Sequence, residues 1–191
     1  MRVSLVGSLA CLVLTGAALA APAGPVAGLH ASPTRLGIGR PAAPEILAAW
    51  DIDVRADGGG LPPGHGGVRD GAVLFGARCA ACHGANGEGG SADALAGGRG
   101  SLATAKPVRT VGSYWPYATT LFDYIRRAMP FDAPQSLSAD ETYALSAYVL
   151  HLNGLVPADT VLDAGTLPKV AMPNRNGFTG DVRPDMPVTA R

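Results

Sequence analysis

The run Cys79-Ala80-Ala81-Cys82-His83 constrains this chain more than any other part of its sequence. Two thiols separated by two residues fall on one turn of backbone, where they can add to the two vinyl groups of a haem. The next residue then presents its imidazole to the iron from the same side. The run therefore implies one covalent haem c attached through Cys79 and Cys82, with His83 as the proximal iron ligand. A zinc half-site would need two further Cys or His ligands, and His30, His65 and His151 form no matching pair. A thioredoxin-like redox pair belongs beside a βαβ pattern, and the surrounding sequence shows no strand alternation. A large apolar cofactor also answers a folding problem, because a glycine-rich chain with few large side chains gains a core from it.

The amino terminus agrees with this chemistry. Residues 1–20 carry one positive charge at Arg2, an apolar run from Val3, and small residues at Ala18 and Ala20. That pattern is a secretory signal with cleavage after Ala20, which places the mature chain in the periplasm. The apolar run is short for a bilayer of about 30 Å and is broken by Gly7 and Gly16, so no integral span is expected after cleavage. Cys11 leaves with the signal, and Cys79 and Cys82 remain. Of 15 basic and 15 acidic residues only Arg2 is lost, leaving a formal charge of about −1. No net field then favours nucleic acid or an anionic membrane surface.

The mature chain divides by composition. Residues 21–67 form an extended Ala/Pro/Gly-rich segment, with one short helix expected over residues 43–50 that packs through Ile46, Leu47 or Trp50. A compact domain is expected over residues 68–155. Its first helix spans residues 68–78, with Val68, Ala72, Leu74 and Phe75 at helical spacing, and leads directly into Cys79. Residues 84–100 are too rich in glycine for regular structure and form a loop held by other parts of the chain. A helix over residues 118–129 starts after Pro116 and stops at Pro130. The last, over residues 138–153, opens with a capping box of Ser138 and Glu141 and ends before Gly154. Residues 156–191 read as an irregular tail that wraps the domain or reaches a partner.

The sixth iron ligand decides between electron transfer and chemistry on the iron, because a closed iron excludes substrate. Met129 is the candidate: it lies 47 residues after Cys82, at a helix end where Pro130 turns the chain. Met172 and Met186 lie in the tail. Tyr114, Trp115 and Tyr117 are placed to pack at a haem edge or simply in the core. Arg126 either neutralises a propionate or solvates a helix end, and Arg127 reads as solvated. Phe75 and Tyr148 sit where the first and last helices can cross. Asp51 and Asp53 read as solvated loop residues, and His151 as a surface histidine.

Gly71, Phe75, the Cys79–Gly84 run, Met129-Pro130 and the aromatic-bearing last helix together resemble class I c-type cytochromes over residues 68–155. That resemblance implies an all-α fold around one haem, with His83 and Met129 as axial ligands. Residues 48–54, 111–130 and 172–178 are similar to the cytochrome subunits of sulfane dehydrogenase and sulfite dehydrogenase from bacterial sulfur oxidation. The likeness implies an electron carrier that is not itself an enzyme. A molybdenum-cofactor dehydrogenase subunit would be its donor, and a downstream cytochrome or oxidase its acceptor. The sulfane dehydrogenase cytochrome carries two haems, whereas this sequence has one C-x-x-C-H. Two alternatives stay open: a carrier for another periplasmic dehydrogenase, and a haem enzyme or sensor whose iron is open because Met129 packs instead of ligating.

Overall fold

A computed structural model describes residues 38–180. Five helices follow in order: α1 Pro44–Trp50, α2 Val68–Arg78, α3 Ala80–His83, α4 Ala118–Ala128 and α5 Ala139–Leu152. Two three-residue strands, β1 His65–Gly67 and β2 Val161–Asp163, pair antiparallel with Gly66 opposite Leu162. The class I cytochrome fold is thus helical, with a short ribbon added. Strands this brief carry no readable alternation, and the sequence gives no sign of them.

The core forms where α2 and α4 cross α5. Phe122 and Tyr143 meet at 4.5 Å between ring centroids, and Phe75 and Tyr148 at 5.2 Å with planes tilted by 57°. The expected Phe75–Tyr148 contact is therefore present. The α2–α5 crossing is close because Gly71 lies against the Ala144 carbonyl and Tyr148, leaving no room for a β-carbon. Gly66 on β1 sits equally tightly on Ala144.

Helix α5 starts as its capping box requires. The Glu141 N–H donates to Ser138 Oγ at 3.2 Å, and the Ser138 N–H donates to Glu141 Oε2 at 2.8 Å. The Ser138 N–H, and after it the Ser138 hydroxyl at 2.9 Å, hold the Glu141 carboxyl below its ordinary value of 4.5. Ser138→Ala is expected to cost about 1 kcal/mol in thermal or denaturant unfolding. Because the folded-state pKa is depressed, the carboxylate's contribution is present above its ordinary value of 4.5 and is lost as pH falls through the folded value. Only the Ser138 hydroxyl bond to that carboxylate titrates, so the gap between wild type and variant should narrow in acid while the part due to the Glu141 N–H bond persists.

Both flanks of the expected domain join its core. Leu162, Leu167, Val170 and Met172 are buried in the same cluster as Phe75 and Phe122, and Val54 and Leu61 pack against it. Most of the buried core lies within residues 68–155, and the tail adds Leu162, Leu167, Val170 and Met172 to it. Residues 51–62 run along α4 and α5. The Val54 N–H donates to Asp123 Oδ1 at 3.2 Å, Arg127 bridges Asp53 at 3.1 Å and Asp123 at 2.6 Å, and the Tyr143 hydroxyl donates to the Pro62 carbonyl at 2.9 Å. Arg127 and Asp53 are therefore paired with each other instead of merely solvated. Helix α1 departs from expectation in the other direction. None of its residues is buried, and Trp50 is 81% exposed. The anchoring role falls to Val54 and Leu61.

Candidate functional site

Helix α2 delivers the cysteine run without a break. Cys79 closes α2 through its N–H to the Phe75 carbonyl at 2.9 Å, and its own carbonyl accepts from His83 at 3.0 Å and Cys82 at 3.1 Å. One turn, α3, thus presents Cys79, Cys82 and His83 together. Gly84 follows at φ +82°, a left-handed conformation that turns the chain away after the histidine. Both cysteines are unpaired, Cys79 half-buried and Cys82 exposed. Burial pushes the Cys79 thiol up, with Arg78 pulling the other way.

The glycine-rich loop is held by the motif it surrounds. The Ala92 N–H donates to the Cys82 carbonyl at 3.0 Å, and the Gly89 N–H to the His83 carbonyl at 2.7 Å. Asn153, at the end of α5, donates to the Leu95 carbonyl at 3.0 Å and accepts from the Gly97 N–H at 3.2 Å. The decisive bond is His83 Nδ1 to the Asp93 carbonyl at 2.8 Å. A carbonyl only accepts, so Nδ1 carries the proton and the Nε2 lone pair of the neutral ring is left for a metal. Neither Asp93 nor Asn153 was identifiable from sequence spacing, because both act through loop and cap geometry.

Met129 stands at the C-cap of α4, its N–H on the Ile125 carbonyl at 3.1 Å, before a cis bond to Pro130. Its side chain is partly buried against the core. Met172 is only 4% exposed and fills the core, while Met186 lies outside the described residues. Arg126 donates to the Ile52 carbonyl at 3.4 Å. The aromatic approach to α4 is clamped from the tail. Asn174 Nδ2 donates to the Tyr114 carbonyl at 2.7 Å, Phe178 meets Tyr114 edge-on at 5.2 Å, and Arg175 lies 4.8 Å above Tyr117. Trp115 stacks edge-on against Tyr124 at 5.8 Å. His151 is half-buried, with Nδ1 at 3.0 Å from the Val156 carbonyl, so it ties the end of α5 to the turn beyond and is not a free surface histidine.

A family model for cytochrome c matches residues 68–153. A chain in the crystal structure of the sulfane dehydrogenase SoxCD from Paracoccus pantotrophus is 45% identical, with a TM-score of 0.74 over 82% of this chain and 85% of that one. The chain belongs to the cytochrome c family. No curated protein sequence matches it. The cytochrome c family carries covalent haem c, and the residues present fit that group. Two unpaired thiols and an imidazole with its outer nitrogen free lie on one turn, the thiols at the spacing the cofactor's two vinyls require. No three His, Cys, Asp or Glu side chains among the described residues group to hold a metal ion. No described helix is long and apolar enough to cross a membrane, and the expected signal, residues 1–20, lies outside the described residues.

Proposed function

We propose that this cytochrome c is an exported periplasmic carrier of single electrons, which receives them from a molybdenum-dependent sulfite or sulfane dehydrogenase subunit. Cys79 and Cys82 would hold the haem, and His83 and Met129 would ligate its iron. When bound, the haem supplies an iron that cycles between ferric and ferrous states. The protein's part is to keep that iron closed and its surroundings rigid. Asp93 fixes the His83 ring through Nδ1, so Nε2 faces one direction. The α4 cap and Pro130 fix the backbone of Met129. A thioether ligand favours the ferrous state and raises the potential. Electrons then pass to a downstream cytochrome or oxidase.

The observation that carries the donor assignment is the 45% identity to a sulfane dehydrogenase chain over 82% of this one. At that coverage the match extends well beyond the haem motif. The test uses protein purified anaerobically from its own periplasm, with its haem spectrum recorded before and after sulfite and then thiosulfate. Reduction that requires a co-purifying molybdenum protein is expected. A haem reduced by dithionite but by neither sulfur compound would assign the carrier to a different dehydrogenase.

A further inference from the structure

Helix α4 and helix α5 are joined by residues 130–137, and this loop has features that holding a cofactor does not explain. Phe131 is 88% exposed, the highest value among the large apolar side chains of the described residues. Leaving such a ring in water forgoes about 1.5–3 kcal/mol of burial. Gln135 has φ +63°, the one left-handed non-glycine residue described. Strain of that kind costs of order 1–3 kcal/mol and persists where the surroundings impose it. Here they do: Arg78 Nη2 donates to Ser136 Oγ at 3.0 Å, tying the loop to the residue before Cys79. Gln135 and Leu137 line an open cleft with Ile52, Arg126 and Ala139.

Charge distinguishes the rim of this loop. Among the described residues the ion pairs use Arg55 and Arg127, so neither Arg78 nor Arg126 has a carboxylate within 4.0 Å. Arg78 meets a hydroxyl and Arg126 a backbone carbonyl. Asp132 is the one carboxylate on the loop itself. One unpaired guanidinium therefore adjoins Cys79, the other lies three residues before Met129, and an exposed phenylalanine lies two residues after it. Electron transfer between proteins needs a brief complex formed close to the cofactor's anchors. Opposite charge steers such encounters, and a central aromatic holds them.

We propose that Phe131, on the loop that Arg78 holds through Ser136 and whose cleft Arg126 lines, forms the docking surface for a redox partner whose facing surface offers an apolar socket ringed by carboxylates. This rests on the electron-carrier reading above and specifies the chemistry of the partner's surface. Two measurements on the holoprotein test it. In the first, the co-purified molybdenum subunit is titrated against wild-type and Phe131→Ser holocytochrome. The variant is expected to bind at least tenfold more weakly with unchanged haem spectrum and potential, and equal affinity overturns the proposal. In the second, the dithionite-reduced holoprotein is oxidised by ferricyanide, one electron passing from each ferrous haem to each oxidant anion. The wild-type rate should fall with rising salt and drop at least threefold in Arg78→Gln/Arg126→Gln, while the rate with cationic hexaamminecobalt(III) does not drop. Ferricyanide rates equal in both proteins overturn the proposal. If wild-type protein does not bind the molybdenum subunit, the donor assignment above fails, and the ferricyanide comparison alone decides this one: unequal rates support it.

Discussion

Met129→Ala should yield a coloured holoprotein whose iron has lost its closed, low-spin spectrum. On the proposed ligation Cys79, Cys82 and His83 are untouched by this change, so attachment should survive while the sixth position opens. Three readouts follow from one cause. The spectrum becomes high-spin or weakly ligated, the midpoint potential falls because the soft thioether no longer favours ferrous iron, and carbon monoxide binds the reduced protein within seconds. Stability also drops, by about 2 kcal/mol for a partly buried methionine truncated to alanine. Met129→Leu separates ligation from packing. It preserves volume and should cost less than about 1.5 kcal/mol, yet show the same three changes. A leucine variant with the wild-type spectrum and potential would move the ligand role to another group, and the burial of Met172 in the core makes it a poor substitute.

Gly71→Val should leave little folded holoprotein. A β-carbon at Gly71 would run into the Ala144 carbonyl and lie 2.8 Å from Tyr148 Cβ, so α2 must move away from α5. That movement carries Phe75 off Tyr148 and displaces Cys79 at the end of the same helix. Overpacking of this kind costs about 1–3 kcal/mol or more, and a valine branch against backbone belongs at the upper end. Against a total stability of about 5–15 kcal/mol, the loss is large. Gly76 provides the contrast on the same helix, since a β-carbon there meets nothing within 4 Å. Gly76→Ala is expected to stabilise by about 0.5–1 kcal/mol, measured by denaturant unfolding followed at the haem band.

The parts of this molecule that were legible in its sequence are those set by neighbours in the chain. The C-x-x-C-H run is local chemistry and appears as one turn, α3. Pro130 and the Ser138–Glu141 box act within a few residues, and α4 and α5 stop and start where those signals stand. The contacts that complete the site are long-range. Asp93 reaches His83 through a glycine loop, Asn153 grips that loop from a distance of 58 residues, and Asn174 holds the Tyr114 turn from 60 residues away. None of these has a period or motif to announce it. Which tail residues turn inward was illegible for a related reason: the tail wraps the domain through Leu162, Leu167, Val170 and Met172, which as a series follow no helical or strand spacing. Trp50 shows the converse, since an aromatic on a short apolar helix invites burial and here remains in solvent.

If His83 and Met129 close the iron as proposed, the chain carries electrons and its iron takes no outside ligand. The most direct test mixes the dithionite-reduced native holoprotein with carbon monoxide and follows its visible spectrum from the first second. An unchanged spectrum over minutes is expected. A carbon monoxide complex formed within seconds at low concentration would contradict it and identify an open haem that binds small ligands.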